Sequence, residues 1–213
     1  MDNFDTLYKQ IIREQTNNLV NIGIFPGAFK PPHIGHYTTA YNACKNNDKV
    51  FIFISEKSRA LSTQNKGNEQ PDSVRYSNIL KSDKYTNNLF GVQTAEVARM
   101  TSASAFRAAI AIKDKNTVAK NIPDGVDKDR IYQILLSSSD ISNENYGHIT
   151  VQQSIEIWNM YKQNLTQLTG LGEDDIIIQS SVPSPVKDTY DLVSELNDRE
   201  DANTINVRLY VGE

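Results

Sequence analysis

Two histidines three residues apart, His33 and His36, stand near the end of the stretch Ile22-Gly-Ile-Phe-Pro-Gly-Ala-Phe-Lys-Pro-Pro-His-Ile-Gly-His-Tyr37. On a helix that spacing puts both rings on one face. The apolar run Ile22 to Phe25 ends at Pro26-Gly27, which predicts a strand, a tight turn and a helix opening at about His33. A helix start carries unpaired backbone N–H groups and the positive end of the peptide dipoles, so an anion is favoured there. Imidazoles added to such a start suit the handling of a phosphate, and Lys30 just before them can neutralise one as a point charge.

A second group of the same kind is Thr101-Ser-Ala-Ser-Ala-Phe-Arg107. Small hydroxyl residues cap the free N–H groups of a starting helix, and an arginine one turn in can point back to the same end. The helix is expected to run on through Ala108-Ala-Ile-Ala-Ile112. A third candidate is Ser184-Pro-Val-Lys187, between an apolar strand and a helix, where Lys187 could meet the phosphate of an acceptor.

Gly27-Ala-Phe-Lys-Pro-Pro-His-Ile-Gly-His36, lying directly after a strand, resembles the G-x-F-x-P-x-H-x-G-H signature of the HxGH nucleotidyltransferase superfamily. Ser102, Ser104 and Arg107 match the marked positions of its second signature, Ser/Thr-x-Ser/Thr-x-x-Arg. The resemblance implies an enzyme that joins a nucleoside triphosphate to a phosphorylated acceptor and releases pyrophosphate. It further implies that His33 and His36 act at the α-phosphate, and that Ser102, Ser104 and Arg107 hold the β- and γ-phosphates. Phe25, Pro26, Gly27, Ala28, Phe29 and Gly35 would surround the nucleotide, and Mg²⁺ would arrive with the triphosphate, needing few ligands from the protein.

The spelling narrows the branch. Pantetheine-phosphate enzymes usually carry Thr where His33 stands, and the Arg-Thr-x-Gly-Ile-Ser-Thr-Thr signature of the cytidylyl branch is absent. Pro32 before His33, together with the Ser102 to Arg107 motif, is more similar to adenylyltransferases acting on nicotinamide mononucleotide. ATP and a phosphorylated small molecule are therefore the expected partners. The alternatives are cytidylyl transfer to a phosphorylated alcohol, or a non-catalytic nucleotide-binding or structural protein on the same fold.

The elements that must position these residues read as an α/β, doubly wound, Rossmann-like parallel sheet with helices on both faces. Val50 to Ile54 is an apolar run too short for a helix, hence a buried parallel strand. Residues 55–70 and 137–149 are polar and form loops or joints. Pro71 opens a helix to about Lys81 with Val74, Ile79 and Leu80 inward; Leu89 to Ala98 reads as a strand. Asn116 to Ile122 and Asp127 to Leu136 form a helical tail. Thr150-x-x-Gln153 is a capping box, followed by Val151, Ile155, Trp158 and Leu165 at near-helical spacing. Trp158 is expected in the core and His148 without a role. Ile176 to Ile178 reads as a buried strand, Val186, Tyr190 and Val193 as one face of the next helix, and Ile205 to Val211 as a last strand.

Residues 1–20 form an amphipathic helix of Phe4, Leu7, Tyr8, Ile11 and Ile12 that packs on the domain or, on the sharper reading, docks a partner or a second copy; residues 21–213 are the nucleotidyltransferase domain. A net charge of −4 argues against a broad nucleic-acid surface, so any anion site is local. No stretch is apolar enough to span a membrane and no signal peptide is visible, which predicts a cytoplasmic protein. Cys44 alone allows no intrachain disulfide and reads as a small helix residue.

The order of the parts departs from the superfamily, where the arginine-bearing motif lies near the end of the domain. Moving residues from about 138 to 213 behind Ile54 would restore an unbroken alternation of strands and helices ending in Ser102 to Arg107. An exchange of the two halves fails if Glu213 lies far from residues 55–70 and the strand at 205–211 does not neighbour the motif strand.

Overall fold

The computed structural model describes residues 19–57, 59–60, 72–95, 97, 103–137 and 148–211. The expected N-terminal helix therefore lies outside the described residues. Strand β1 (Val20–Gly27) leads into helix α1 (Ile34–Asn46) and returns as β2 (Lys49–Ser55). A two-residue strand β3 (Arg59–Ala60) is followed by three short helices, α2 (Asp72–Arg75), α3 (Ser77–Lys81) and α4 (Asp83–Thr86). Then come β4 (Gly91–Ala95), α5 (Ala103–Ala111), α6 (Lys115–Lys120) and α7 (Lys128–Ser137). The last third holds β5 (His148–Ile149), α8 (Val151–Thr169), β6 (Ile176–Ser181), α9 (Pro185–Asn197) and β7 (Ile205–Tyr210).

Five strands make one sheet in the order β4-β7-β1-β2-β6, every pair parallel. Side chains alternate across a strand, and here they alternate between two cores. Val50, Ile52 and Ile54 of β2 join Phe25, Trp158 and Tyr161 on one face. Ile22 and Ile24 of β1 and Ile205, Val207 and Leu209 of β7 join Ile79, Val193 and Leu196 on the other. A parallel sheet covered on both faces is the arrangement that apolar runs such as Val50–Ile54 require. Where β1 meets the first core, a Cβ on Gly23 would come within 2.9 Å of the Asn47 side chain.

Helix ends follow the sequence closely. Thr150 and Gln153 close the capping box at the start of α8, and Gly170 ends it at φ 80°, its N–H donating to the Thr166 carbonyl. Other expectations need correction. The helix expected to run to Lys81 breaks at Tyr76 (φ −97°, ψ −1°), because it is the Tyr76 ring that is buried beside Ile79. Val74 and Leu80 are exposed instead. The strand at 89–98 is shorter: Leu89 and Phe90 are bends, and Leu89 is drawn into the core. Helix α5 stops at Ala111 and leaves Ile112 largely in solvent. Strand β6 is a sheet edge, so only Ile176 of its three isoleucines is fully buried. The polar stretches are not featureless, since Arg59–Ala60 pairs antiparallel with His148–Ile149.

Strand β7 neighbours β1, one of the two conditions set for an exchanged segment order. The other concerns Glu213 and residues 55–70, and of these Glu213, residue 58 and residues 61–70 lie outside the described residues. Among the described residues no helix is long and apolar enough to cross a membrane.

Candidate active site

At the carboxyl edge of the sheet, β1 passes into a loop in which Phe29, Lys30, Pro31, Pro32 and His33 are all buried. Phe29 sits at φ 47° and the Lys30–Pro31 bond is cis. Gly27 is required here by contact: a Cβ would lie 2.6 Å from the Phe29 ring.

His33 is itself the N-cap of α1. Its Nδ1 accepts from the Gly35 N–H at 3.1 Å, and His36 Nδ1 accepts from the His33 N–H at 3.3 Å. The two rings stack with centroids 3.7 Å apart and planes 24° from parallel. An Nδ1 that accepts must leave the proton on Nε2. Both imidazoles are thus fixed as neutral Nε2–H donors by the backbone of the helix they open. Electrostatics hold them there. Burial, with the Arg107 guanidinium nearby, lowers the His33 pKa to about 4. Burial and the neighbouring His33 put His36 well below its ordinary value.

Arg107 comes from α5, after the distant strand β4, yet it is buried and close enough for its charge to act on His33. Its Nη2 donates to Ser104 Oγ at 3.2 Å, one turn back toward the helix start, as the motif spacing suggests. Phe106 sets its ring edge-on to His33 at 6.2 Å. The fold therefore brings together His33, His36, Ser104 and Arg107; Ser102 lies outside the described residues.

The remaining sequence candidates divide. Lys30 is buried, and its Nζ donates to the Lys57 carbonyl just beyond β2, so it ties the loop to the neighbouring strand. Phe25 and Phe29 belong to the aromatic core with Trp158, at centroid distances of 6.2 and 5.4 Å. Phe29 also stands edge-on to His36 at 5.0 Å. Pro26 and Gly27 close β1 and Ala28 is half-buried above them, while Gly35 is buried in the first turn of α1. Lys187 is exposed in the first turn of α9 and paired with Asp191, while Ser184 caps that helix by accepting from the Lys187 N–H at 3.3 Å. Burial pushes the Cys44 thiol up to about 12, which fits an inert core residue.

The motif residues did not disclose what supports the loop from behind. Ser154 Oγ donates to the Phe29 carbonyl at 2.9 Å and Tyr161 Oη to the Pro32 carbonyl at 3.4 Å, both from α8. Their only sequence signal is the Ser154, Trp158, Tyr161, Leu165 stripe at spacings of four, three and four, the buried face of α8. Among the described residues no cluster of three or more His, Cys, Asp or Glu could hold a metal ion. Among the described residues this donor set would give a Mg²⁺ ion few protein ligands.

A doubly wound parallel sheet with a donor-bearing helix start at the end of its central strand defines a nucleotide-binding α/β protein. The chain belongs to the cytidylyltransferase-like family, whose model matches residues 24–165, more than half of its length. This is the HxGH nucleotidyltransferase superfamily, so the fold and the general activity, nucleotidyl transfer, follow from membership. The match ends within α8 and leaves β6, α9 and β7 beyond it. No curated protein and no solved structure matches the chain.

Proposed function

We propose that this protein moves the adenylyl group of ATP onto a phosphorylated small molecule such as nicotinamide mononucleotide and releases pyrophosphate. An oxygen of the acceptor phosphate attacks the α-phosphorus, a new P–O–P linkage forms, and the bond from the α-phosphorus to the bridging oxygen of pyrophosphate breaks. The attacking group belongs to the substrate, so the protein needs no nucleophile of its own. It needs in-line positioning and donors aimed at charge that grows on the phosphoryl oxygens.

The observation that carries this reading is the stacked, neutral pair His33 and His36, each presenting Nε2–H. Neutral donors pre-set by the backbone can receive developing negative charge without reorganising. Arg107, bonded to Ser104 and beside His33, supplies fixed positive charge for the leaving pyrophosphate; Ser102 belongs to the same motif. Lys30 adds a second cation at the loop, and Lys187 is the candidate for the acceptor phosphate. Mg²⁺, when it accompanies ATP, neutralises charge on the triphosphate. Preference for ATP over CTP rests on Pro32 preceding His33, on the Ser102 to Arg107 spelling and on the missing cytidylyl signature.

The test is pyrophosphate release with ATP and with CTP across a panel of phosphorylated acceptors. ATP with a mononucleotide acceptor is expected to turn over, and His36→Ala to lose about 10²–10³ in kcat while staying folded, the cost of one missing donor to an oxyanion. Turnover with CTP alone would reassign the nucleotide; binding of ATP with no turnover on any acceptor would leave a binding protein.

A further inference from the structure

The loop from β1 to α1 is buried, and a buried backbone must find partners for its polar groups. Pro31 and Pro32 contribute no N–H, and Phe29 holds a left-handed conformation. At the two prolines the loop backbone offers only acceptors. Its carbonyls reach instead to α8, a helix more than a hundred residues further along the chain. Ser154 Oγ donates to the Phe29 carbonyl at 2.9 Å and Tyr161 Oη to the Pro32 carbonyl at 3.4 Å. A hydroxyl has one proton, and the competing acceptor for Ser154, the Thr150 carbonyl, is more distant at 3.2 Å. Between the two hydroxyls, Trp158 stands edge-on to Phe29 at 5.4 Å, and Phe29 stands edge-on to His36 at 5.0 Å. From the other side, Ile34 donates its N–H to the Asn121 carbonyl at 2.7 Å. Helix α8 is anchored in turn, because Gln153 closes its cap and donates to the Ile134 carbonyl at 2.6 Å.

We propose that Ser154 is a positioning residue for nucleotidyl transfer. Its hydroxyl clamps the Phe29 carbonyl, and through the Phe29 ring it sets where His36, and with it His33, presents Nε2–H. Tyr161 is the weaker second clamp on the same loop; burial keeps its hydroxyl protonated, so it stays a donor. The inference rests on the reading of His33 and His36 as the donors at the α-phosphate. Clamp and histidines come from segments that meet only in the folded chain, so the site is incomplete without α8.

Ser154→Ala is expected to lower kcat about 10- to 100-fold, the effect of a misplacement on the ångström scale, with the KM for ATP changed by less than about 3-fold. Ser154→Thr, which returns the hydroxyl, restores most of kcat, and Tyr161→Phe gives a smaller loss. Imidazole ¹⁵N spectra of the free protein are the second measurement: the His36 signals shift in Ser154→Ala and return in Ser154→Thr. The proposal is overturned if folded Ser154→Ala keeps kcat within about 3-fold of the parent. A loss of kcat that merely tracks the folded fraction, or unchanged imidazole signals, overturns it as well. Should the parent protein turn over no acceptor, the adenylyl-transfer reading is what fails, and the imidazole spectra alone then decide the clamp.

Discussion

His33 makes a measurable demand on stability. The folded protein lowers its pKa from 6.5 to about 4 through burial and the charge of Arg107, whereas the unfolded chain protonates it at its ordinary value. Between those values the unfolded state binds more protons than the folded one, so stability falls as the pH drops through the window. At 1.36 kcal/mol per pH unit, the whole shift is worth about 3 kcal/mol, absent above pH 6.5 and fully expressed near pH 4. His33→Asn isolates this contribution. Asparagine is a strong N-cap and can accept from the same backbone, but it does not titrate, while the carboxylates and the burial that is the larger cause of the His36 shift are common to both proteins. Urea unfolding at pH 7, 6, 5 and 4 should show the parent losing about 3 kcal/mol more than the variant over the series. Parallel losses in the two proteins would refute the claim that the fold holds His33 neutral.

Three further outcomes follow from the same geometry. Arg107→Met should raise the His33 pKa from about 4 by NMR titration, but only part of the way to 6.5 because burial, the larger cause, remains, and should weaken pyrophosphate binding by about 10- to 100-fold, the worth of a charged hydrogen bond. Gly27→Ala forces a Cβ to within 2.6 Å of the Phe29 ring, and should cost about 1–3 kcal/mol by thermal unfolding. Thr150→Ala removes the acceptor for the Gln153 N–H at 3.2 Å; about 1 kcal/mol should be lost, which for a chain of this size lowers Tm by about 3 °C.

Much of the fold was legible because its signals are local. Val50–Ile54 is too short for a helix and reads as a strand buried on both faces, and Thr150 and Gln153 announce a helix start, each from requirements within a few residues. His33 and His36 were legible for the same reason, since a spacing of three on a helix start fixes a shared face before any packing is known. Helix α3 was misread because Tyr76 lies outside the assumed apolar stripe, and its burial beside Ile79 overrides the stripe that ran through Val74 and Leu80.

By itself the chain determined the kinds of groups available: imidazoles at a helix start, a hydroxyl-and-arginine motif, and a sheet able to carry both. Tertiary structure decided which of them meet. Strand β7 inserts between β1 and β4, and numbering the strands with the last third moved behind β2 would give 3-2-1-4-5 across the sheet, an order familiar in doubly wound folds. That placement is what sets Arg107 near His33, and the packing of α8 is what brings Ser154 under Phe29. Neither contact has a local cause. Both arise from burying apolar faces far apart in sequence, and no spacing along the chain records which face will lie against which.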